Sequence, residues 1–145
     1  MIRSQKRRYK DRNFPGTQEE FEEKLKISTT LYVGNLSFYT EETQVYELFS
    51  FIGPVKNVIM GLNRFDKTPC GFCFVEYYDR HHAEMSVNNL NGTVFDGRIL
   101  SIDIDAGFIE GRQYGRGRQG GQIMDEKKTV YDEERGGYTK FAKSN

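Results

Sequence analysis

The sequence predicts an α+β domain of order β-α-β-β-α-β, in which two helices cover one face of a four-stranded antiparallel sheet. Three features support this prediction. Four segments alternate as strands do, two segments repeat apolar residues at helical spacing, and glycine- or proline-containing turns separate them. The pattern occupies residues 29–105 of the 145-residue chain, which is enough for a single small hydrophobic core.

The first predicted strand is Thr30–Leu36, with the sequence TLYVGNL. Because successive side chains point to opposite faces of a strand, Leu31 and Val33 are expected on one face and Tyr32 and Gly34 on the other. The aliphatic pair suits a core beneath the helices, which leaves the tyrosine on the opposite face of the sheet.

The first helix is predicted to begin after Thr40, an N-cap residue followed by two glutamates that suit the positive end of a helix. Apolar residues then recur at intervals of three and four, and they predict a buried stripe made of Val45, Leu48, Phe49 and Ile52. Gly53 and Pro54 end this helix.

Two further strands are predicted after this helix, Val55–Met60 and Phe72–Tyr77, and the polar segment Gly61–Pro69 is the loop between them. The later strand, FCFVEY, alternates with a period of two residues. These two strands form the adjacent β-β pair in the middle of the predicted order.

The second helix is predicted to follow Asp79, which serves as its N-cap, and its core positions are Ala83, Val87 and Leu90. Asn91-Gly92 and Asp96-Gly97 are turn signals after this helix. Arg98–Asp103 then completes the sheet as its fourth strand.

The segments on either side of residues 29–105 differ in composition, so we define residues 1–28 as an N-terminal extension and residues 106–145 as a Gly/Arg-rich C-terminal extension. The first contains few apolar side chains, although Glu19–Ile27 fits a short helix. The second holds eight glycines, with arginine between several of them. Because such a segment buries too little surface to offset the entropy of ordering, it is predicted to be disordered until bound.

The charges are unevenly distributed along the chain, although 21 basic and 21 acidic side chains give a formal net charge of zero. Residues 1–26 carry a net charge of +3, residues 27–105 one of −5, and residues 106–145 one of +2. This distribution suits basic ends that contact phosphates and a middle that contacts something cationic.

The sequence argues against a membrane-spanning protein, a secreted protein and an enzyme. No apolar run approaches the roughly 18 residues that a membrane span needs. The first residues, MIRSQKRRYK, lack the apolar stretch of a secretory signal, which predicts a reducing compartment. The sequence shows no Ser/His/Asp set, phosphate-binding loop or two-metal acidic cluster, so no catalysis, cofactor or metal is expected. Cys70 and Cys73 fall on opposite faces of a strand, which disfavours a disulfide or zinc site.

Two segments resemble the signatures of the RNA-recognition motif. Leu31–Leu36 has the form of its short hexamer, and Cys70–Tyr77 has the form of its octamer, [KR]-G-[FY]-[GA]-[FY]-V-x-[FY]. The octamer departs from this pattern at Cys70, in place of a basic residue, and at Cys73, in place of a small one. The resemblance implies a single RNA-recognition-motif domain with functional extensions at both ends.

Strand alternation places Tyr32, Phe72 and Phe74 side by side on the face of the sheet that the helices leave uncovered. Both predicted helices already occupy the other face, so these rings are not needed to fill the core. Three aromatic rings on an open sheet face predict a platform on which nucleobases stack, at ~1–3 kcal/mol for each base.

Asp103 and Asp105 lie two residues apart at the end of the fourth strand, so both carboxylates project to the same side. Carboxylates repel RNA phosphates, and generic RNA binding therefore does not explain them. They suit a positively charged ligand or one that presents donors, such as the N1–H and N2–H₂ edge of guanine. A solvated strand end is the alternative interpretation.

Longer segments resemble the small subunits of nuclear cap-binding complexes. The resemblance covers nearly the whole chain, and the segments that carry it include Leu31–Tyr39, Cys70–Tyr78, Asp105–Phe108 and Glu110–Arg118. The last of these, EGRQYGRGR, is not found in RNA-recognition motifs generally. The resemblance implies binding of the 7-methylguanosine cap of RNA polymerase II transcripts, in support of splicing, export and RNA surveillance.

The resemblance also implies which residues bind the cap. Two tyrosines of the family enclose the 7-methylguanine ring, and the matching residues are Tyr9 and Tyr32. Its carboxylate contacts to the guanine edge fall on Asp103 and Asp105. The complete implied set is Tyr9, Tyr32, Phe72, Phe74, Ser101, Ile102, Asp103, Ile104, Asp105, Arg112, Gln113, Tyr114, Gly115, Arg116, Gln122 and Ile123.

Two positions depart from the family's pattern within this set. Ser101 stands where an arginine is usual, which predicts weaker phosphate binding. Ile104 stands where a tryptophan is usual, and the change matters little where the backbone makes the contact. The segment that faces the triphosphate in the family matches Arg112–Arg116.

A protein partner is expected for energetic reasons. Ordering the chain around Tyr9 costs ~1–2 kcal/mol per residue, which one stacking contact does not offset beyond two or three residues. The resemblance implies a large helical subunit that braces the extensions, and a nuclear location with shuttling to the cytoplasm. Lys6–Lys10 fits a nuclear-import patch, a phosphate-facing tail or plain solvation equally well.

Two other functions stay open at this point. A general binder of single-stranded RNA with an Arg/Gly tail would keep its RNA in the presence of free 7-methylguanosine triphosphate. A protein-interaction domain of the same fold would need neither Tyr32 nor Phe72 for any contact with RNA.

Overall fold

A computed structural model describes residues 14–126 of the chain. Its elements in chain order are α1 (Gln18–Ile27), β1 (Thr30–Gly34), α2 (Glu42–Ser50), β2 (Val55–Leu62), β3 (Pro69–Tyr77), α3 (Arg80–Leu90), β4 (Val94–Phe95), β5 (Arg98–Ile99), β6 (Ser101–Asp105) and α4 (Ile123–Glu126). Between residues 14 and 126, no helix has the length and apolar character needed to cross a membrane.

The main sheet has four antiparallel strands in the order β2-β3-β1-β6, and the predicted β-α-β-β-α-β fold is confirmed. The two strands that carry the RNA-recognition-motif signatures, β1 and β3, are the central pair. The strands β4 and β5 form a separate short hairpin before the fourth strand of the sheet. This order places the two signature segments beside each other.

The hydrophobic core lies between the sheet and the helices. It contains the inward side chains of β1 and β3, which are Leu31, Val33, Cys73, Val75 and Tyr77. From α2 and α3 it receives Val45, Phe49, Ala83 and Val87, as the helical spacing predicts. Leu48, Ile52 and Leu90 are partly buried at its margin. The predicted division of the two sheet faces is therefore confirmed.

The N-terminal helix α1 also contributes to this core through Phe21 and Leu25. A capping box starts the helix: the Thr17 hydroxyl accepts from the Glu20 amide at 3.0 Å, and the Glu20 carboxylate accepts from the Thr17 amide at 2.8 Å. The short helix predicted at Glu19–Ile27 is present and begins one residue earlier.

The N-cap of α2 differs from the prediction. Glu41 occupies the cap position, and its amide donates to the Gln44 side chain at 2.8 Å. The Thr40 hydroxyl instead donates to the Asp96 carboxylate at 2.6 Å. Thr40 therefore ties the start of α2 to the turn of the β4-β5 hairpin rather than capping the helix.

The extents of the strands also differ from the predictions, since β1 ends at Gly34 and β3 begins at Pro69. β2 continues through Gly61 to Leu62, which pairs with Pro69 of β3, so the loop between them is shorter than Gly61–Pro69. The predicted strand Arg98–Asp103 is divided, because Arg98–Ile99 turns back through Asp96-Gly97 to pair with β4. Asp96 and Gly97 have φ angles of 51° and 82°, values typical of a tight hairpin turn.

Tyr77 connects the sheet to both helices. Its side chain is 1% exposed, and its hydroxyl donates to the Phe49 carbonyl at 2.7 Å. The hydroxyl also lies 2.8 Å from the Ser86 hydroxyl. Burial raises the pKa of Tyr77 to about 12, although the Ser86 hydrogen bond lowers it. The phenol thus remains protonated and available as a donor.

Replacement of this hydroxyl should destabilise the fold. We expect Tyr77→Phe to lower the free energy of unfolding by about 1–2 kcal/mol, because the Phe49 carbonyl loses one of its donors and the buried Ser86 hydroxyl loses its partner. Urea unfolding measures this change. The control is Tyr78→Phe at the adjacent, 67% exposed position, where the change should stay within about 0.5 kcal/mol. Equal losses in both variants would contradict the assigned role of Tyr77.

Candidate nucleic-acid interface

Three aromatic rings lie together on the sheet face opposite the helices. Tyr32 of β1 pairs with Phe74 of β3, and their ring centroids are 5.8 Å apart. Phe72 is stacked on Tyr32 at 5.5 Å and meets Phe74 edge-on at 5.9 Å. We call these three residues the aromatic platform. The three rings predicted to lie side by side are therefore in contact in the structure.

Glycines beneath two of these rings allow them to lie close to the backbone. A Cβ atom on Gly34 would be 3.0 Å from the Tyr32 ring, and one on Gly61 would be 2.4 Å from the Phe72 ring. Glycine within a strand often marks such a close approach. Gly61, which the sequence placed in a loop, therefore belongs to the platform's support.

The edge strand β6 places carboxylates beside the platform. Its residue Asp103 pairs with Tyr32, and Asp105 pairs with Thr30. Ser101 lies on the same face, opposite Gly34. The alternate residues, Ile102 and Ile104, are buried in the core under the helices, so only their backbone atoms face this side.

The platform is not uncovered, contrary to the prediction. Residues 106–126 lie across it, and the Phe108 ring is 5.4 Å from the Phe74 ring. The Gln122 side chain accepts from the Tyr32 hydroxyl at 3.0 Å and donates to the Cys70 carbonyl at 2.9 Å. Phe72 and Phe74 are consequently only 5% and 1% exposed. We call residues 106–126 the cover.

The prediction of disorder is therefore wrong for residues 106–126, and the loop between β2 and β3 explains why. The Leu62 amide donates to the Gln113 carbonyl at 2.7 Å, and the Gly115 amide donates to the Leu62 carbonyl at 2.9 Å. The Arg64 guanidinium donates to the carbonyls of Gly115 and Gly117 at 2.8 and 3.0 Å. These bonds hold a glycine-rich segment that cannot form a core of its own.

The glycines of the cover fit this tight packing. A Cβ atom on Gly115 would be 2.2 Å from the Gly120 carbonyl oxygen, so no larger residue fits without a shift of the backbone. Gly120 has a φ angle of +96°. The Glu126 carboxylate, at the end of the cover, accepts from the amides of Arg118 and Gln119 and so joins two parts of the cover.

Arg112 forms the principal ion pair of the site with Asp105. Its guanidinium donates to both carboxylate oxygens, at 2.6 and 3.0 Å, and also donates to the Gly107 carbonyl at 2.8 Å. The same guanidinium lies 4.8 Å from the centre of the Phe74 ring. This two-point geometry fixes the plane of the Asp105 carboxylate.

A cavity of about 800 Å³ lies between the platform, β6 and the cover. Most of the predicted site residues line it, namely Tyr32, Phe72, Phe74, Asp103, Ile104, Asp105, Arg112, Tyr114, Gly115, Arg116, Gln122 and Ile123. Phe21 and Met124 also line it, although the sequence did not single them out. Its volume falls within the range of sites for ligands of nucleotide size.

The remaining predicted residues are placed elsewhere. Gln113 is buried, and its side chain bonds to the Gly111 amide and the Glu110 carboxylate, each at 2.7 Å. Tyr9 lies outside the described residues. Sequence reasoning missed Arg64 and Phe108, whose roles depend on contacts between distant segments.

Cys70 and Cys73 lie apart in the fold and are buried in different clusters on opposite sides of the sheet. Burial raises the pKa of the Cys73 thiol well above its usual range, so the reactive thiolate is disfavoured. Within residues 14–126, no three His, Cys, Asp or Glu side chains are grouped so as to hold a metal ion.

Comparison with known proteins gives consistent matches. The RNA recognition motif model matches residues 31–101. Nuclear cap-binding protein subunit 2 of Ixodes scapularis is 62% identical over 133 residues, which cover 92% of this chain and 88% of that protein. The protein of the same name from Caenorhabditis elegans is 59% identical over 132 residues, covering 91% and 84%.

Solved structures agree on the fold of the central domain. The Rna15 RNA-recognition motif with bound RNA (GU) has a TM-score of 0.52 and 29% identity, covering 59% of this chain and 92% of that chain. The crystal structure of RNA binding protein PG1 has a TM-score of 0.55 and 29% identity, covering 57% and 100%. Both likenesses extend over little more than half of this chain.

The contact of Arg64 with the cover can be tested without any ligand. We expect Arg64→Ala to increase amide hydrogen exchange at residues 113–120 by about tenfold or more, because hydrogen bonds from a charged donor contribute about 1.5–3 kcal/mol. Exchange measured by mass spectrometry reports this change.

The matched control is Arg118→Ala, which removes an exposed arginine from the same segment. Exchange in this variant should remain close to that of the unchanged chain. Unaltered exchange in Arg64→Ala would show that the cover is held by other contacts.

Proposed function

The chain belongs to the family of nuclear cap-binding protein subunit 2, and we propose that its cavity binds the 7-methylguanosine cap of RNA polymerase II transcripts. The observation that carries this proposal is the position of Asp103 directly beside Tyr32, within a covered cavity that also holds Asp105 and two arginines. The ligand must therefore combine a flat ring, an edge rich in donors and a group with negative charge. A methylated guanine with its triphosphate has all three.

The ring of the ligand is recognised through its charge. Methylation at N7 gives guanine a delocalised positive charge, so stacking on tyrosine gains a cation–π attraction of up to ~2 kcal/mol for each desolvated ring. Tyr32 supplies one ring, and the family resemblance assigns the other to Tyr9. Together with the carboxylates, two rings suggest discrimination of roughly 2–4 kcal/mol against unmethylated guanine, or about 30- to 1,000-fold.

The carboxylates read the donor edge of the base. Each carboxylate has about four acceptor positions. Arg112 occupies two of those of Asp105 and the Gly107 amide a third, which leaves one for the guanine edge. Arg112 also offsets the charge of Asp105, which reduces its repulsion of the cap phosphates. Asp103 lies two residue pairs away from Asp105 along β6, opposite Tyr32. Ile102 and Ile104 can contribute only backbone groups.

The phosphates of the cap are proposed to contact basic residues of the cover and its surroundings. Arg112 and Arg116 line the main cavity, and a neighbouring cavity of about 520 Å³ adds Lys24 and Arg64. Ser101 presents a hydroxyl on the same face of the sheet, where the family usually has arginine. We expect this difference to weaken phosphate binding without removing it, since four cations surround the two cavities.

The cover argues against a general binder of single-stranded RNA. Such proteins present exposed aromatic rings on which successive bases stack. Here Phe72 and Phe74 are almost completely buried beneath residues 106–126, so one ring-shaped ligand at Tyr32 fits better than a series of bases. A protein ligand on this face is disfavoured for the same reason.

A large helical subunit is the proposed protein partner. Family membership supports a role as the smaller member of a nuclear complex. The entropy of ordering the chain around Tyr9 supports a need for an external brace, since one stacking contact does not offset it. We propose that the complex acts in the nucleus and shuttles to the cytoplasm, in support of splicing, export and RNA surveillance.

Removal of either tyrosine should abolish most of the preference for the methylated cap. We expect Tyr32→Ala and Tyr9→Ala each to reduce the ratio of affinities for 7-methyl-GTP and GTP, from the 30- to 1,000-fold range towards unity. Fluorescence quenching titrations measure both affinities. Tyr39→Ala removes an exposed tyrosine outside the cavity and should leave the ratio unchanged. A double Tyr9/Tyr32 variant with the ratio of the unchanged chain would refute the proposal.

The partner should strengthen cap binding. We expect the purified 145-residue chain to bind 7-methyl-GTP weakly and to gain at least tenfold in affinity when the large subunit is present, because the partner orders the N-terminal extension in advance. Isothermal titration with and without the large subunit tests this expectation. Equally tight binding by the chain alone would contradict the bracing role.

A further inference from the structure

The loop between β2 and β3 carries an aromatic ring that neither the core nor the cavity uses. Phe65 is 65% exposed, and the Arg64 guanidinium lies 4.5 Å from the centre of its ring. One face of the ring is therefore occupied by a cation, while much of its surface remains in water. This arrangement resembles the stacking positions at which nucleic-acid-binding proteins hold a base.

This loop is already fixed in place. The Asn63 side-chain oxygen accepts from the amides of Phe65 and Asp66 at 2.9 and 3.2 Å. The Asp66 carboxylate accepts from the amide and the hydroxyl of Thr68, at 3.0 and 2.7 Å. A rigid loop loses little entropy when it binds. The one acidic side chain of the loop, Asp66, is held towards Thr68 by these bonds.

Two further basic residues belong to the segments that meet at this loop, Lys67 in the loop itself and Arg118 in the cover. The Lys67 ammonium lies 4.5 Å from the centre of the Tyr114 ring, and Tyr114 lines the proposed cap cavity. The side chain of Arg118 is exposed on the part of the cover that Arg64 contacts. The nearby Glu126 carboxylate is turned towards the backbone amides of Arg118 and Gln119. Lys67 is thus next to a residue of the cavity, and Arg64 is next to Phe65.

We propose that Phe65, Lys67 and Arg118 bind the RNA chain that follows the cap. Phe65 stacks one of the first transcribed nucleotides, and Lys67 and Arg118 pair with phosphates of the chain. The proposal rests on cap binding in the adjacent cavity, because the cap places the start of the RNA beside Tyr114 and Arg116. Stacking does not distinguish among bases, since every base has a π face. The surface therefore suits transcripts of any sequence.

The test compares ligands of increasing length. Fluorescence titrations with the 145-residue chain, alone and together with the large subunit, use 7-methyl-GTP, a capped dinucleotide, a capped hexanucleotide and the uncapped hexanucleotide. We expect the capped hexanucleotide to bind more tightly than the capped dinucleotide. Phe65→Ala should lower affinity for the hexanucleotide about five- to tenfold, with affinity for 7-methyl-GTP unchanged.

Salt dependence tests the two cations. Each phosphate contact on a single strand contributes about 0.7 to the slope of log affinity against log salt. We expect Lys67→Ala and Arg118→Ala each to reduce the slope for the capped hexanucleotide by about this amount. Two controls match them elsewhere on the surface: Lys26→Ala on α1, where the lysine pairs with Glu23, and Tyr78→Ala, an exposed ring outside the loop. Both should leave the hexanucleotide affinity and slope unchanged.

Several outcomes would overturn the proposal. One is equal affinity for the capped dinucleotide and the capped hexanucleotide. Another is that Phe65→Ala and Arg118→Ala still bind the capped hexanucleotide more tightly than the capped dinucleotide, by the same factor as the unchanged chain. Loss of the large subunit from these variants in gel filtration, with RNA affinity intact, would assign the surface to a protein. Failure of the unchanged chain to bind 7-methyl-GTP would instead count against the proposed cap site. The uncapped hexanucleotide would then still test the surface, by its affinity for the chain with and without the Phe65→Ala change.

Discussion

The contact between the Arg64 guanidinium and the carbonyls of the glycine-rich cover is the interaction on which the site depends. Glycine has no side chain on its own Cα, which leaves its carbonyl more accessible, and a planar donor with several N–H groups can reach more than one such carbonyl. The cover is thereby held over the sheet without a core of its own. Without it, the aromatic platform would be an ordinary open face for RNA. With it, that face becomes one wall of a cavity.

The cavity combines groups that attract ligands of opposite charge. Asp103 and Asp105 belong to the sheet, while Arg112 and Arg116 belong to the cover, and all four line the cavity. Because Arg112 pairs with Asp105 at two points, the acidic and basic groups are held at a fixed separation before any ligand enters. A ligand with a positive ring and a negative tail meets complementary charge at both ends. Such preorganisation reduces the reorganisation that binding requires.

Much of the fold could be predicted from the sequence, because local patterns decide it. The alternation of Tyr32 with Leu31 and Val33 fixed the two faces of β1, and helical spacing identified Val45 and Phe49 as core residues. The Asp96-Gly97 turn was predicted as well, but not its effect of dividing the last strand. Arg98 and Ile99 can pair either with β4 or with the main sheet, and composition alone does not decide between these two partners.

The site was less accessible to sequence reasoning than the fold. The aromatic platform followed from alternation, and the family resemblance supplied the residues of the cover. The ordering of the cover was not predicted. Its glycine content indicates a high entropy cost of ordering, but it does not show that the Gly115 and Gly117 carbonyls accept hydrogen bonds from Arg64. Thr40 gave a similar error: its hydroxyl bonds to Asp96, more than fifty positions later in the chain. Contacts of this kind become visible only once distant segments are placed together.

The two faces of β6 link the correct folding of this protein to the formation of its site. Its isoleucines fill the core and its aspartates face the cavity, and the amide of Ile102 is fixed by the Asn91 side chain at 2.7 Å. A slip of one residue would exchange these roles and bury two carboxylates among aliphatic side chains. Such a chain would not reach a stable native state. An error of register therefore appears as a loss of stability, not as a well-folded protein with a defective site.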